Sequence, residues 1–117
     1  MKKNKFANKL NCVMEEKKMY LNPRLNIYDL ARELATNRTY ISQYFNQEIH
    51  TSFNDYINSY RIKVDEQLLR NTNLPISDIA KQSGFNTLRT MQRAFIKKNN
   101  LTLTKYREIY KTAIPQS

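Results

Sequence analysis

Two short runs carry hydrogen-bonding side chains at spacings that suit one face of a helix. In residues 87–98, TLRTMQRAFIKK, helical periodicity gathers Leu88, Met91 and Phe95 on one side and turns Arg89, Gln92, Arg93 and Ile96 toward the other. In residues 38–49, RTYISQYFNQEI, it gathers Ile41, Phe45 and Ile49 and leaves Thr39, Ser42, Gln43 and Asn46 outward. Arginine can hold guanine through O6 and N7, and glutamine can hold adenine through N6 and N7, so both faces suit base edges in a major groove. Arg38, at the start of one run, and Lys97 and Lys98, at the end of the other, are candidates for phosphate contact. Tyr40 and Tyr44 flank the core stripe and are expected to be partly buried wedges.

Catalysis has little to work with. The chain has one histidine, His50, one cysteine, Cys12, and one glycine, Gly84. Metal-ligand spacing, an internal disulfide and a glycine-rich phosphate loop are therefore all excluded. No enzyme activity, metal or cofactor is expected. His50 reads as a turn or cap residue, and Cys12 as a small half-buried thiol in a reducing compartment.

The outward faces need elements to present them. Ahead of the second run, Ile76, Ile79 and Ala80 recur at helical spacing, Gly84 can end that helix in the left-handed conformation, and Asn86 is the expected cap of the next. This is helix, tight turn, helix, the frame that places a second helix in a major groove. The same frame occurs earlier. Ile27, Asp29, Leu30 and Ala31 match Ile76, Asp78, Ile79 and Ala80 at an offset of 49, while Ile41, Gln43, Phe45 and Tyr56 match Met91, Arg93, Phe95 and Tyr106 at an offset of 50. One residue is added in the second turn. Asn37 is the expected cap of the first recognition helix.

Between the units, Ser52 can cap a helix whose Phe53, Tyr56, Ile57, Tyr60, Val64 and Leu68 form an inward stripe. Ahead of both, Phe6, Leu10, Val13, Met14 and Leu21 suit a leading helix broken at Asn22-Pro23. The prediction is an all-α chain of seven helices at 4–20, 27–34, 38–48, 53–70, 76–83, 87–98 and 103–111. Residues 1–117 form a single DNA-binding domain. It divides into the leading helix with the first helix-turn-helix (1–51), a linker helix (52–71), and the second helix-turn-helix with a closing helix (72–117).

The formal net charge is +10 in 117 residues, with 40% apolar residues. The charge is uneven: +5 over residues 1–24, −2 over 25–80 and +7 over 81–111. Positive density on and after the second recognition helix suits a polyanion. No apolar run reaches membrane-spanning length and the start lacks an apolar signal core, so membrane contact is not expected and the location is cytoplasmic. Rival readings are a helical protein-interaction module and an RNA-binding basic domain. Small polar and arginine side chains on two matched faces favour duplex DNA over a protein groove, which would want larger apolar anchors.

The combination DLARELATNRTYISQYF, SFNDYINSYRI, the pair Leu68-Leu69, ISDIAKQSGF, RAFIKK and the closing pair Tyr106-Arg107 resembles the AraC/XylS family of bacterial transcription regulators over roughly residues 25–110. The resemblance implies a seven-helix DNA-binding domain of two helix-turn-helix subdomains joined by a long helix. It implies base reading by Thr39, Ser42 and Gln43 in the first unit and by Leu88, Arg89, Gln92 and Arg93 in the second. Leu88 thus moves from the core, where its spacing put it, to the groove. The implied partners are double-stranded DNA and RNA polymerase, with a sensory domain in a longer chain. The chain departs from the family pattern at His50 and Asn100, where glycine is usual, at Asp65, where alanine is usual, at Met91, where an aromatic is usual, and at Leu103, where proline is usual.

Overall fold

Five helices begin where a short polar side chain accepts a hydrogen bond from a backbone N–H three residues on: Asn26 from Asp29, Asn37 from Tyr40, Ser52 from Asp55, Thr87 from Thr90 and Thr102 from Lys105. Each satisfies a donor that the first helical turn leaves without a partner. The computed structural model describes residues 3–111; residues 1–2 and 112–117, which fall within the expected domain limits, lie outside it. Among the described residues there are seven α-helices and no strand. They are α1 (Lys3–Asn11), α2 (Ile27–Glu33), α3 (Arg38–Tyr44), α4 (Phe53–Asn71), α5 (Ile76–Ser83), α6 (Leu88–Asn99) and α7 (Leu103–Tyr110). Wider π turns continue α1 through Cys12–Glu16 and α3 through Phe45–Ile49.

The leading helix does not run to residue 20 as its spacing predicts. Lys18 adopts a left-handed conformation (φ 51°), and a 3₁₀ turn at Met19–Leu21 follows. Leu21, expected in the packed stripe, is consequently exposed. The second recognition helix is capped by Thr87, not Asn86, and starts at Leu88. The first is capped by Asn37, so the two caps keep the offset of 50 and the added residue lies between the left-handed corner and the cap.

The two corners show how unlike residues make one turn. In the first, Ala35 is left-handed (φ 54°), and the N–H groups of Ala35 and Thr36 donate to the carbonyls of Arg32 and Ala31. In the second, Gly84 has φ 89° and the Phe85 N–H donates to the Ala80 carbonyl. Both close a helix by a Schellman-type end. Gly84 is required for a further reason. A Cβ there would lie 2.4 Å from the Tyr20 carbonyl oxygen and 2.8 Å from Leu21 Cα. The 3₁₀ turn of the leader therefore seats directly against the corner of the second unit.

The hydrophobic residues divide into two clusters. Phe6, Met14, Leu30, Leu34, Ile41 and Phe45 centre the first; Leu69, Ile79, Met91, Phe95 and Leu103 centre the second. Phe6 meets Tyr40 and Tyr44 edge to face with centroids 5.0 and 4.6 Å apart, which gives both tyrosines the half-buried wedge role. Phe45 packs on Tyr56 at 4.8 Å and, fifty residues on, Phe95 packs on Tyr106 at 5.2 Å.

Helix α4 belongs to both clusters, contributing Ile57 to the first and Ile62 and Leu69 to the second. The expected stripe is present but widened: Phe53, Tyr56, Tyr60, Val64 and Leu68 are half-buried and packed on the two clusters, and Arg61, Ile62, Asp65 and Leu69 join Ile57 as buried positions. A helix sandwiched between two cores buries a wider face than one amphipathic stripe. Arg61 is tolerated there because its Nε and Nη2 donate to the carbonyls of Tyr20 (2.7 Å) and Asn22 (2.9 Å). Arg107 acts in the same manner on the other unit, donating to the carbonyls of Leu69 and Leu74. Asp65 is different. It is wholly buried, neither carboxylate oxygen has a hydrogen-bond donor among the described residues, and desolvation pushes its pKa up to about 7.

Candidate nucleic-acid interface

Helices α3 and α6 carry the same pattern of burial. Across residues 41–50 and 91–100 the order of buried, half-buried and exposed positions is identical, as it is across 25–34 and 74–83 in the scaffold helices. Ile41 and Met91 are fully buried, as are Phe45 and Phe95 within 1%. With these anchors inward, the opposite faces are open to solvent. Thr39, Ser42 and Gln43 on α3, and Arg89, Gln92 and Arg93 on α6, are all exposed, as are Arg38, Lys97 and Lys98.

Leu88 is 39% exposed. Its spacing aligns it with the core side, but as the first residue of α6 it sits at the helix end and escapes that packing. The core assignment made from spacing alone is therefore corrected. Ile96, at 44% exposure, lies among Arg89, Gln92 and Arg93 on the open face. Its fifty-residue counterpart is Asn46, also exposed.

Charge partners refine the face. Arg38 lies over the ring of Tyr28, 5.8 Å from its centroid, and Tyr28 is 58% exposed. Nothing in the spacing of the sequence singles out that tyrosine, since it belongs to the preceding helix. Lys97 Nζ lies 3.4 Å from Asp55 Oδ2, and Lys98 Nζ lies 3.5 Å from Glu66 Oε2. Both acids belong to α4, so the pairs tie the second recognition helix to the central helix. Lys97 and Asp55 are both well exposed, and such a pair is worth about 0–1 kcal/mol, weak enough to exchange for a phosphate. Lys98 is placed differently: at about 100° per residue it lies within about 20° of Met91 around α6, leaning back toward α4. In the free protein Lys98 is thus held by Glu66.

Between α4 and α6 runs a groove of about 500 Å³ lined by Asp55, Asn58, Ser59, Ile62, Thr90 and Arg93 among others. Among the described residues no group of three histidine, cysteine or acidic side chains comes together to hold a metal. No helix among them is long and apolar enough to cross a membrane.

Residues 30–109 match a family model described as a helix-turn-helix domain. The chain belongs to the AraC/XylS family. The regulatory protein SoxS of Escherichia coli is 30% identical over 88 residues, which are 75% of this chain and 82% of SoxS. The uncharacterized HTH-type transcriptional regulator YtdP of Bacillus subtilis is 31% identical over 84 residues, 72% of this chain but only 11% of YtdP. The C-terminal domain of the two-component response regulator yesN from Fusobacterium nucleatum superposes with a TM-score of 0.77 at 25% identity, covering 89% of this chain and 98% of that one. The family's departures also find their place in the fold. His50 and Asn100, where glycine is usual, are both left-handed, with φ 61° and 56°, at the ends of the two recognition helices.

Proposed function

We propose that this chain binds duplex DNA sequence-specifically, α3 and α6 entering successive major grooves, and thereby regulates bacterial transcription. The observation that carries this reading is the repeated presentation: two helices with one burial pattern, each backed by a packed phenylalanine, each opening a face of hydrogen-bonding side chains. The molecule measures 52 × 27 × 22 Å, long enough to follow a duplex whose turn is about 34 Å. Thr39, Ser42 and Gln43 read one half of the site, and Leu88, Arg89, Gln92 and Arg93 the other. Arg38 and Lys97 reach phosphates. Residues 1–117 act as one DNA-binding domain, with RNA polymerase and, in a longer chain, a sensory domain as its further partners.

Selection of bound sequences from randomised duplexes, followed by mobility shifts, tests the division of labour. Arg93→Ala should weaken binding and relax one position, a guanine, because a bidentate contact is worth about 1–3 kcal/mol of discrimination. Gln43→Ala should relax a position about one helical turn away with a smaller loss of affinity. If Gln43→Ala changes no base preference in the distal half of the site, reading by both units is wrong.

A further inference from the structure

Beyond Leu88 at its first residue, the open face of α6 contains one side chain that cannot make a hydrogen bond, Ile96. Taking Met91 and Phe95 as the inward direction, about 100° per residue places Arg93 opposite the core, Ile96 about 60° from it, and Gln92 about 100° from it. Ile96 thus sits nearer the outward pole than glutamine does. At 44% exposure it is open to solvent. The counterpart in the first unit is Asn46, so the two faces differ here in chemical kind and not only in charge.

A β-branched hydrocarbon beside two arginines and a glutamine has one partner in a major groove. Base edges there present donors, acceptors and a single apolar feature, the C5 methyl of thymine. An isoleucine placed over a donor or acceptor would strip it of water and return nothing. We infer that Ile96 is a specificity-determining residue that recognises a thymine methyl group in the half-site read by α6. This rests on the DNA-binding reading above and assigns to that surface an apolar contact, in addition to its polar ones. Leu88 is a separate apolar contact: eight residues earlier, it lies about 12 Å away along the helix axis and meets a different base pair.

The test uses the chain with the duplex it selects from a random pool, and replaces thymines one at a time by deoxyuridine, which removes only the methyl group. Wild-type protein should lose about fourfold in affinity at one thymine of the α6 half-site, the factor given by roughly 0.8 kcal/mol for one buried apolar carbon. Ile96→Ala should bind the thymine duplex more weakly and be indifferent to uridine at that position. It should retain wild-type sensitivity to guanine replacement opposite Arg93. If no thymine in that half-site is sensitive to methyl removal, or if Ile96→Ala keeps the same sensitivity, the inference is overturned while DNA binding stands. If the chain selects no duplex at all, the underlying reading fails instead.

Discussion

Replacing Asp65 with alanine should stabilise this protein at neutral and alkaline pH. The carboxyl group is fully buried between α4 and α5, where Glu66 opposes its charge and the Ser83 hydroxyl is its favourable neighbour. That hydroxyl is turned toward the Ala80 carbonyl, and Arg61, one turn earlier, is occupied by the carbonyls of Tyr20 and Asn22. Burial raises the pKa from 3.8 to about 7. The folded state therefore holds a proton that the unfolded chain releases, and stability falls as pH rises from about 4 to about 7. At about 1.36 kcal/mol per pKa unit the loss is roughly 4 kcal/mol, complete above pH 7. Alanine removes that loss and leaves a small void costing about 1 kcal/mol. The variant should be more stable by about 3 kcal/mol at pH 8, raising Tm by about 10 °C, and slightly less stable at pH 4. Thermal melts of both proteins from pH 4 to pH 8 would show the two curves crossing. If they run parallel, the carboxyl group is not held in the desolvated state described.

Four further substitutions probe the frame. Gly84→Ala should be strongly destabilising, because it adds about 1–2 kcal/mol of left-handed strain to a backbone clash at Tyr20, whereas Ala35→Gly should gain about 0.5–1 kcal/mol; opposite shifts in Tm check the pair. Phe95→Ala should cost about 3–5 kcal/mol, read by chemical denaturation, since the ring is fully buried; a negligible shift would mean the inward face is misassigned. Lys97→Ala should flatten the salt dependence of DNA affinity by about 0.9 in logarithmic slope, with little change in stability because its pair with Asp55 is exposed; an unchanged slope would leave Lys97 without a phosphate contact.

Much of this was legible because the repeat supplies its own check. Phe45 and Phe95 identify each other as core positions, and Asn37 and Ser52 are caps that spacing alone locates. What escaped detection depends on contacts distant in sequence. The leader looked like one helix because its apolar stripe continues to Leu21, yet the chain turns there to seat on Gly84 and to offer carbonyls to Arg61. Arg61 and Asp65 lie outside the inward stripe that spacing assigns to α4; only the packing of a core on each side buries them. Leu88 escaped because periodicity describes rotation about an axis and says nothing of where neighbouring helices end. The lysine partners on α4 lie 42 and 32 residues away from Lys97 and Lys98 and share no local pattern with them.

The nineteen residues of α4 have a consequence for inheritance. A helix advances 1.5 Å and turns about 100° with each residue, whereas a base pair advances about 3.4 Å and turns about 35°. One residue added to α4 would swing the second recognition helix more than a quarter turn off the duplex while moving it less than half a base pair. Adding seven restores the rotation to within about 20° but advances about 10.5 Å, the rise of three base pairs that themselves turn about 105°. Most short insertions, one residue or seven alike, put rise and rotation out of step. Point mutations can therefore rewrite the letters that each face prefers, generation by generation, while the interval between the two words stays fixed.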